Sequence, residues 1–170
     1  MNKFFRIIIH IISRARSFNN RCLKEFSFGI KGKKILEIGS GGKSEYSVKR
    51  FFDESNNFIQ SDINKNYGHR VINVANMDYN NEFEIIICMN VLEHVFDFKR
   101  AIRNIYQALV SDGILIITVP VFYPWHNEPN DYWRFTEHSL KEMLKEFNQV
   151  KIKHHGIRKL PFAYYIEAYK

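Results

Sequence analysis

The stretch KILEIGSGGKS, residues 34–44, decides the fold. Its apolar part, Ile35–Ile38, predicts a short buried β-strand, and the glycines at positions 39, 41 and 42 predict a tight turn. The segment that follows, Ser44–Phe52, predicts a helix. Glycine adopts left-handed backbone conformations easily and lets backbone N–H groups approach a ligand closely. A strand, a glycine-rich turn and a helix in this order therefore favour a ligand-binding loop.

Two well-known glycine loops match this stretch only in part. The end of a phosphate-binding P-loop resembles Gly42-Lys43-Ser44, but that motif requires its leading glycine at the position of Glu37. A carboxylate there would repel a phosphate, which argues against a P-loop. A dinucleotide-binding fingerprint matches Gly39 and Gly41, but its third glycine or alanine falls on Ser44. The dinucleotide alternative therefore stays open.

Beyond the glycine loop, β-rich runs alternate with helical patterns. Asp97 and Thr136 are predicted to be the N-caps of two amphipathic helices. This alternation predicts a parallel sheet with helices on both faces. Two final strands, joined by a link containing Gly156 and Pro161, predict an antiparallel closing pair. The predicted strands are Ile35–Ile38, Phe58–Ser61, Val71–Val74, Phe83–Met89, Ile114–Val119, Val150–His155 and Ala163–Ala168.

Composition and charge narrow the class of protein. A chain of 170 residues with 45% hydrophobic residues suits one globular domain. Cys22 and Cys88 share no disulfide or metal-binding spacing, so we expect a reducing, cytoplasmic location and no metal site. Residues 1–34 contain nine basic residues and one acid, a charge of +8, whereas the remaining residues carry −1. Because the body of the chain is not basic, nucleic acid is not expected as a partner.

Residues 1–30 are predicted to form a basic amphipathic arm ahead of a domain over residues 31–170. The apolar run Phe4–Ile12 is shorter than the roughly 20 residues of a membrane span, and the arginines after it argue against a signal peptide. The arm is expected to pack on the sheet or on a second copy of the chain, as in a homodimer. Peripheral contact with an anionic membrane is the alternative. Its apolar stripe is Phe4, Ile8, Ile11, Ile12, Ala15 and Phe18.

Three motifs in one order carry a family resemblance. An acid precedes the first glycine by two residues in Glu37-x-Gly39-x-Gly41, the turn Asn90-x-Leu92-Glu93-His94 follows the fourth strand, and residues 120–136 read PVFYPWHNEPNDYWRFT. Together they resemble class I S-adenosylmethionine-dependent methyltransferases similar to the type 11 group, over about residues 33–147. Lys43 stands where that family often has a third glycine.

The resemblance implies an α/β Rossmann-like class I methyltransferase fold. That fold is a mostly parallel seven-stranded sheet with helices on both faces and a C-terminal antiparallel strand. It also implies S-adenosyl-L-methionine as the cofactor. A carboxylate near the glycine loop would complement its sulfonium and ammonium groups. The loop residues assigned to the cofactor are Glu37, Gly39, Ser40 and Gly41.

Further cofactor contacts are expected at the ends of the next strands. Asp62 lies 23 residues after Gly39, near the spacing of about 20 for an acid that accepts hydrogen bonds from ribose hydroxyls. By resemblance, Met77 and Asp78 would hold the adenine and Asn90 would lie beside the methyl donor. His94 is expected to contact the cofactor or act as a base, or else to orient its own turn by a hydrogen bond.

The segment 120–136 supplies the catalytic candidates. Histidine ordinarily titrates near neutral pH, so His126 is the candidate general base. Asp131 would orient His126 or hold a substrate hydroxyl, and Arg134 would bind a carboxylate or phosphate of the acceptor. Alternatively, Asp131 and Arg134 pair with each other in a self-packed loop. Tyr132 and Trp133 would stack on a sugar ring or shield the site from water.

The expected reaction is methyl transfer to a hydroxyl or amine of a small molecule or saccharide. A role in cell-surface polysaccharide biosynthesis follows only from the similar proteins that carry the 120–136 segment. Three alternatives remain at this point. They are a NAD-binding oxidoreductase, a catalytically silent cofactor-binding scaffold, and an RNA methyltransferase guided by the basic arm.

Overall fold

The computed structural model describes residues 3–43, 47–126 and 129–170, with side chains of the first helix described from residue 13 onward. Its helices are α1 Lys3–Ser27, α2 Phe98–Ala108 and α3 Glu137–Met143. Its strands are β1 Lys34–Ile38, β2 Asn57–Asp62, β3 Arg70–Val71, β4 Phe83–Met89, β5 Leu109–Pro120, β6 Gln149–Ile157 and β7 Leu160–Tyr169. Short 3-10 helices are formed by Val48–Phe51, Lys65–Tyr67 and Leu92–His94.

The seven strands form one sheet in the order β3-β2-β1-β4-β5-β7-β6. Strands β1 to β5 run parallel, and β7 lies antiparallel between β5 and β6. The predicted mostly parallel sheet with an antiparallel C-terminal part is confirmed. Because β1 lies between β2 and β4, the strand order reverses there. Open α/β sheets bind their ligands in the crevice at such a reversal, outside the carboxyl ends of the strands.

Apolar side chains cover both faces of the sheet. On one face, α2 and α3 pack over a core that includes Leu36 and Ile86. On the other face, Cys22 and Leu23 of α1 pack against Ile35 and its neighbours on β4 and β5. Successive strand residues point to opposite faces, so the apolar residues of β1 and β4 contribute to both layers of the core. Helices therefore lie on both faces, as predicted, with Asp97 and Thr136 as N-caps.

The described half of α1 packs on this sheet. Its buried side chains are those of Asn19, Cys22, Leu23 and Ser27. Within the predicted stripe, Ala15 and Phe18 are partly buried, whereas the remaining members fall outside the described side chains: Phe4, Ile8, Ile11 and Ile12. Among the residues that the structure describes, no helix is long and apolar enough to span a bilayer.

The helix predicted over Ser44–Phe52 is wrong in the part of that segment that the structure describes. Residues 44–46 lie outside the described part of the chain, and the remainder forms one 3-10 turn. The Ser47 side chain caps this turn by accepting a hydrogen bond from the Lys49 N–H, and Phe52 is already extended, with φ −105° and ψ 147°. A cap at Ser47 and an extended Phe52 leave space for a single turn between them.

Two other predicted boundaries also change. Strand β3 covers only the start of the predicted Val71–Val74, because the Asn73 side chain accepts a hydrogen bond from the Ala75 N–H (3.0 Å) and turns the chain. Gly156 and Pro161 lie inside β6 and β7 rather than in the link between them. Gly156 has φ +95° at a bulge where the strand register shifts, a conformation that favours glycine.

Candidate active site

A pocket of about 630 Å³ opens at the carboxyl edge of the parallel strands. Its walls come from the glycine loop after β1, the turn after β4, the segment after β5, the start of β7 and one side of α1. Small-molecule sites commonly have volumes of about 300–1,000 Å³. The sequence-predicted site residues that line this pocket are Glu37, Gly39, Ser40, Gly41, Asn90, His94 and His126.

The glycine loop is held against β2 by its own backbone. The N–H groups of Gly39 and Ser40 both donate to the Ser61 carbonyl at 2.9 Å. Gly39 and Gly41 have φ of +75° and +70°, the left-handed region that favours glycine. A Cβ on Gly39 would overlap with Cγ2 of Val91, whereas a Cβ on Gly41 would meet no atom within 4 Å. Gly39 is thus required by packing, and Gly41 presents an open face.

Glu37 lies buried beneath this loop. Its carboxylate accepts hydrogen bonds from the Ser47 hydroxyl and from the Val48 N–H, each at 2.9 Å. The Gln60 side chain donates to the Ser47 hydroxyl at 2.9 Å. The acid therefore fixes the returning chain to the end of β1 and also places a negative charge in the pocket wall. Its contact with a cofactor stays a prediction.

Three predicted cofactor residues do not line the pocket. Asp62 is 9% exposed, and its carboxylate accepts hydrogen bonds from the Gly41 N–H at 3.0 Å and the Asn64 N–H at 2.9 Å. It therefore positions the glycine loop, and its ribose contact stays a prediction. Met77 is partly buried against the core, and Asp78 is exposed in the loop after β3. The structure does not bring Met77 and Asp78 to this pocket.

Asn90 joins the ends of two strands at the pocket. Its N–H donates to the Thr118 carbonyl at 2.9 Å, and its side-chain oxygen accepts a hydrogen bond from the Thr118 hydroxyl at 3.2 Å. Its φ is +52°, a conformation that asparagine tolerates better than most residues. The turn after β4 therefore starts with a sharp change of direction at Asn90, which lines the pocket.

Glu93 is a functional candidate that the sequence reasoning missed. It lines the pocket, its side chain is 1% exposed, and its Oε2 has no hydrogen-bond partner among the described residues. Its backbone carbonyl accepts hydrogen bonds from the N–H groups of Tyr132 and Trp133, at 2.8 and 3.2 Å. The only sequence signal was its place beside His94 in the turn after β4.

Burial gives this carboxyl an unusual protonation state. Loss of hydration raises the pKa of Glu93 to about 8, with Arg134 opposing and Asp131 reinforcing the rise. Burial therefore favours the protonated form of Glu93 in the folded protein. A buried acid with a pKa near neutrality, in a pocket, is a feature common to functional sites.

Two histidine rings meet at the same wall. His94 Nδ1 lies 2.5 Å from the Asn130 carbonyl oxygen, to which it donates, and its Nε2 lies 3.9 Å from Glu93 Oε1. The His94 and His126 rings touch edge to face, with centroids 4.9 Å apart. The hydrogen bond to Asn130 ties the turn after β4 to the segment after β5, and the role of His94 stays a prediction.

Asp131 links His126 to Arg134. Arg134 donates from both terminal nitrogens to the Asp131 carboxylate, at 2.5 and 2.7 Å. His126 Nδ1 lies 3.2 Å from Asp131 Oδ2. The Arg134 hydrogen bonds hold the pKa of Asp131 down to about 2. The structure thus shows the self-pairing of Asp131 and Arg134, and acceptor binding by Arg134 stays a prediction.

Replacing Asp131 with asparagine is expected to loosen the segment after β5 and to lower the free energy of unfolding by about 1–2 kcal/mol, since the charged fork to Arg134 is lost. Faster amide exchange at Tyr132 and Trp133, followed by NMR, would report the loosening. Because the folded pKa of Asp131 is about 2, this stabilisation is present above pH 4 and is lost as the pH falls towards 2.

A matched control is available in α3. Lys141 and Glu137 form an exposed ion pair one helical turn apart, at 2.6 Å. Replacing Lys141 with methionine should change stability by less than about 0.5 kcal/mol. Unchanged amide exchange in the Asp131 variant would show that this pairing does not order the segment.

The described residues contain no group of three or more histidine, cysteine, aspartate or glutamate side chains placed to hold a metal ion. Cys22 and Cys88 are buried and reduced. Burial raises the pKa of both thiols, which makes them poor nucleophiles. The polar side chains of the described pocket wall carry carboxyl, imidazole, amide, hydroxyl and guanidinium groups.

Comparisons with known proteins agree with this geometry. A family model described as a methyltransferase domain matches residues 9–154. Over 99 residues the chain is 34% identical to the ubiquinone biosynthesis O-methyltransferase of Coxiella burnetii, a match that covers 49% of this chain and 42% of that protein. The matched region spans less than half of the length of this curated relative.

Solved structures give the same result for the fold. A SAM dependent methyltransferase from Archaeoglobus fulgidus superposes with a TM-score of 0.69 at 15% identity, covering 99% of this chain and 100% of that one. The 1,6-didemethyltoxoflavin-N1-methyltransferase of Burkholderia thailandensis, solved with 1,6-didemethyltoxoflavin and S-adenosylhomocysteine, gives 0.65 at 18% identity, covering 94% and 78%. At these identities the likeness establishes the fold. With a family model that matches most of its length, the chain belongs to the methyltransferase-domain family and has the Rossmann-like class I fold.

Proposed function

We propose that this chain is an S-adenosylmethionine-dependent methyltransferase that acts on a hydroxyl or amine of a small molecule. The observation that carries the proposal is the pocket at the carboxyl ends of β1 and β4, whose wall includes the open face of Gly41. The pocket wall carries both signs of charge, with Glu37 under the loop and Arg16 and Arg50 elsewhere in the lining, which fits a ligand with both an ammonium and a carboxylate group. The Ser40 hydroxyl, buried and without a partner among the described residues, fits a ligand with polar groups.

The bound cofactor would supply an electrophilic methyl group on a sulfonium. The contribution of the protein is to hold the acceptor atom in line with that methyl group and to exclude water. Gly39 and Gly41 shape the cofactor wall, and Asn90 lines the part of the pocket at the end of β4. His126 would accept the proton of an acceptor hydroxyl, with Asp131 orienting its ring through the 3.2 Å contact and Arg134 holding Asp131.

The acceptor is proposed to be a saccharide or another ring-bearing hydroxyl compound. Exposed aromatic side chains lie in the segment after β5, where Tyr123 lines the pocket and Trp125 is 75% exposed. Such rings stack on the apolar face of a sugar or on an aromatic ring. If the acceptor is a saccharide, the more specific proposal is a role in cell-surface polysaccharide biosynthesis. The named relative is an O-methyltransferase of ubiquinone biosynthesis, which favours a hydroxyl over an amine as the acceptor.

Other partners follow from the arm. The basic side chains within positions 1–34 favour peripheral contact with an anionic membrane surface. A homodimer formed through α1 is the other proposed contact. The two buried, reduced cysteines suit a cytoplasmic location. Family membership favours methyl transfer over the NAD-dependent alternative.

Calorimetry with S-adenosylhomocysteine and with NADH tests the proposal. The wild-type chain should bind S-adenosylhomocysteine and not NADH, and the Gly41→Val variant should bind it at least tenfold more weakly. Binding of NADH alone would restore the oxidoreductase alternative. Methyl transfer from labelled S-adenosylmethionine to candidate hydroxyl compounds would then separate an enzyme from a silent scaffold.

Gly32 provides the matched control for this substitution. Its φ is +64°, and a Cβ there would meet no atom within 4 Å, so Gly32→Val has a backbone strain similar to that of Gly41→Val. It does not line the pocket. Both variants should lose similar thermal stability, and only the Gly41 variant should lose affinity. Equal affinity of the two variants would contradict the assignment of the glycine loop.

A further inference from the structure

The exposed apolar side chains of the protein are concentrated at one edge of the sheet. Eleven large apolar side chains are exposed in the described part of the chain. Ten of them lie at or beyond the carboxyl ends of β2 to β5 or in the β6–β7 hairpin. The exception is Phe28, which precedes β1 and so lies at the opposite edge. Scattered exposed apolar residues are normal on a protein surface, but their concentration at one edge indicates an interaction surface.

The first part of this surface follows the parallel strands. Ile63 comes directly after β2, and Val71 is the last residue of β3. Phe96 lies in the turn after β4 and is 70% exposed, and Trp125 lies in the segment after β5 and is 75% exposed. Because the carboxyl ends of parallel strands meet at the same edge, these side chains surround the mouth of the pocket.

The β6–β7 hairpin extends the surface to the last strand of the sheet. Pro120, the last residue of β5, pairs with Ala163, and the hairpin continues past this pair to Ile157 and Leu160 at its tip. Both tip residues are exposed. Neighbouring strands are about 4.8 Å apart, so the surface from β3 to β6 is roughly 30 Å wide. That width exceeds what a small ligand covers.

Exposed cations alternate with these apolar groups. Lys65 and Arg70 lie in the segment that carries Ile63 and Val71, and Arg158 and Lys159 form the turn between Ile157 and Leu160. The acids described near this edge are mostly engaged within the protein. Asp62 and Asp131 are buried, and the Asp97 side chain caps α2. The surface therefore combines apolar side chains with a positive charge.

This combination fits an anionic lipid bilayer best. The centre of a protein–protein interface is depleted of lysine, whereas aromatic and aliphatic side chains among lysine and arginine are typical of the membrane–water interface. Aliphatic side chains such as Ile157 and Leu160 offer no ring for stacking on bases, which argues against RNA. No described helix is long and apolar enough to span a bilayer, so the contact would be peripheral.

We infer that the carboxyl edge of the sheet, from β3 to β6, is a docking surface for an anionic lipid bilayer, with the pocket opening towards the lipid headgroups. Tyr123 is exposed on this surface and also lines the pocket, so the surface and the pocket wall are continuous. The acceptor that fits this placement is a hydroxyl compound anchored in the bilayer by an apolar chain. The acceptor class rests on the proposed function, whereas the docking surface does not.

Cosedimentation of the full chain with lipid vesicles tests the surface. The wild-type chain should bind vesicles of phosphatidylcholine mixed with phosphatidylglycerol, and should bind phosphatidylcholine alone about tenfold more weakly. Ile157→Ser combined with Leu160→Ser should weaken binding to the mixed vesicles about tenfold. Arg158→Ser combined with Lys159→Ser should weaken it by about tenfold as well. Phe28→Ser, at the opposite edge, is the matched control and should leave binding unchanged.

Trp125 reports how the protein lies on the vesicle. Brominated acyl chains quench the fluorescence of a tryptophan that reaches the bilayer, so mixed vesicles with brominated phosphatidylcholine should quench the wild-type chain. Trp125→Phe should lose most of this quenching, because the remaining Trp133 donates from its indole N–H to the backbone carbonyls of Val95 and Phe96 and is partly buried. The hairpin variants should retain the wild-type melting temperature and affinity for S-adenosylhomocysteine, since their side chains do not line the pocket.

The remaining outcomes separate the docking surface from its rivals. Vesicle binding that persists in the hairpin variants without quenching of Trp125 would assign the contact to the basic arm and overturn the inference. Absence of vesicle binding, an equal loss in the Phe28 control, or a lipid-free dimer that the Ile157 and Leu160 substitutions dissociate would also overturn it. Vesicle binding without S-adenosylhomocysteine binding would support the docking surface and refute the proposed function. S-adenosylhomocysteine binding without vesicle binding would refute this inference alone.

Discussion

Replacing Gly39 with alanine is expected to lower the free energy of unfolding by about 3 kcal/mol or more. A left-handed φ costs an alanine about 1–2 kcal/mol, and forcing an extra methyl group into a packed site costs about 1–3 kcal/mol. Both apply here, since Gly39 has φ +75° and its Cβ would overlap with Cγ2 of Val91. Valine is stiff at χ1, so Val91 cannot easily move aside. Urea denaturation of the variant measures the loss.

Two further variants separate these contributions. Val91→Ala removes the clashing methyl group, so Gly39→Ala should cost only about 1–2 kcal/mol in that background. Gly41→Ala shares the left-handed backbone but meets no atom within 4 Å, and should also cost only about 1–2 kcal/mol. An equal cost for Gly39→Ala with and without Val91 would show that backbone strain alone explains the glycine.

The second large effect concerns the pH dependence of stability. The folded pKa of Glu93 is raised from 4.5 to about 8, so its unfolded form releases the proton first as the pH rises. The contribution of Glu93 to stability is therefore complete below about pH 4.5, falls as the pH rises, and reaches its lower limit above pH 8. Each unit of pKa shift corresponds to about 1.4 kcal/mol, so the expected loss between pH 5 and pH 8 is on the order of a few kcal/mol.

Glu93→Gln should abolish most of this slope, because glutamine stays neutral at every pH. The variant should melt close to wild type at pH 5 and several degrees higher at pH 8.5. Glu54→Gln, at an exposed glutamate, is the control and should leave the slope unchanged. The charged and titratable groups around Glu93 stay in place in the variant: Arg134, Asp131, His94 and Cys88. Parallel wild-type and Glu93→Gln curves would contradict a raised pKa.

The sheet was predictable because its signals are local. The apolar runs at Ile35–Ile38 and Phe83–Met89 are short and rich in β-branched residues, which favours strands over helices. Asp97 and Thr136 acted as caps because short polar side chains satisfy the free N–H groups at a helix start. The helix at Ser44–Phe52 failed for a related reason, since a second capping residue, Ser47, stands inside the expected segment.

The pocket was harder to foresee, because burial and pairing are properties of the tertiary structure. The sequence shows a glutamate in the turn after β4 but does not show that it is buried. In the structure Glu93 is buried, and the N–H groups of Tyr132 and Trp133 donate to its backbone carbonyl. Asn19 lines the pocket from a helix for which the sequence predicted only an apolar stripe, so its polar side chain gave no signal of the site. Asp131 and Arg134 left two interpretations open, and the geometry of their fork decided which contact is made.

The position of β7 has a consequence for how the protein is made. Residues 160–169 come last among the strands yet lie in the sheet interior, between β5 and β6. Until that segment leaves the ribosome, β5 presents a bare, hydrophobic edge that invites pairing with other chains. Sheet closure is thus a late, long-range event in synthesis, and a nascent chain halted before residue 160 would be prone to aggregate.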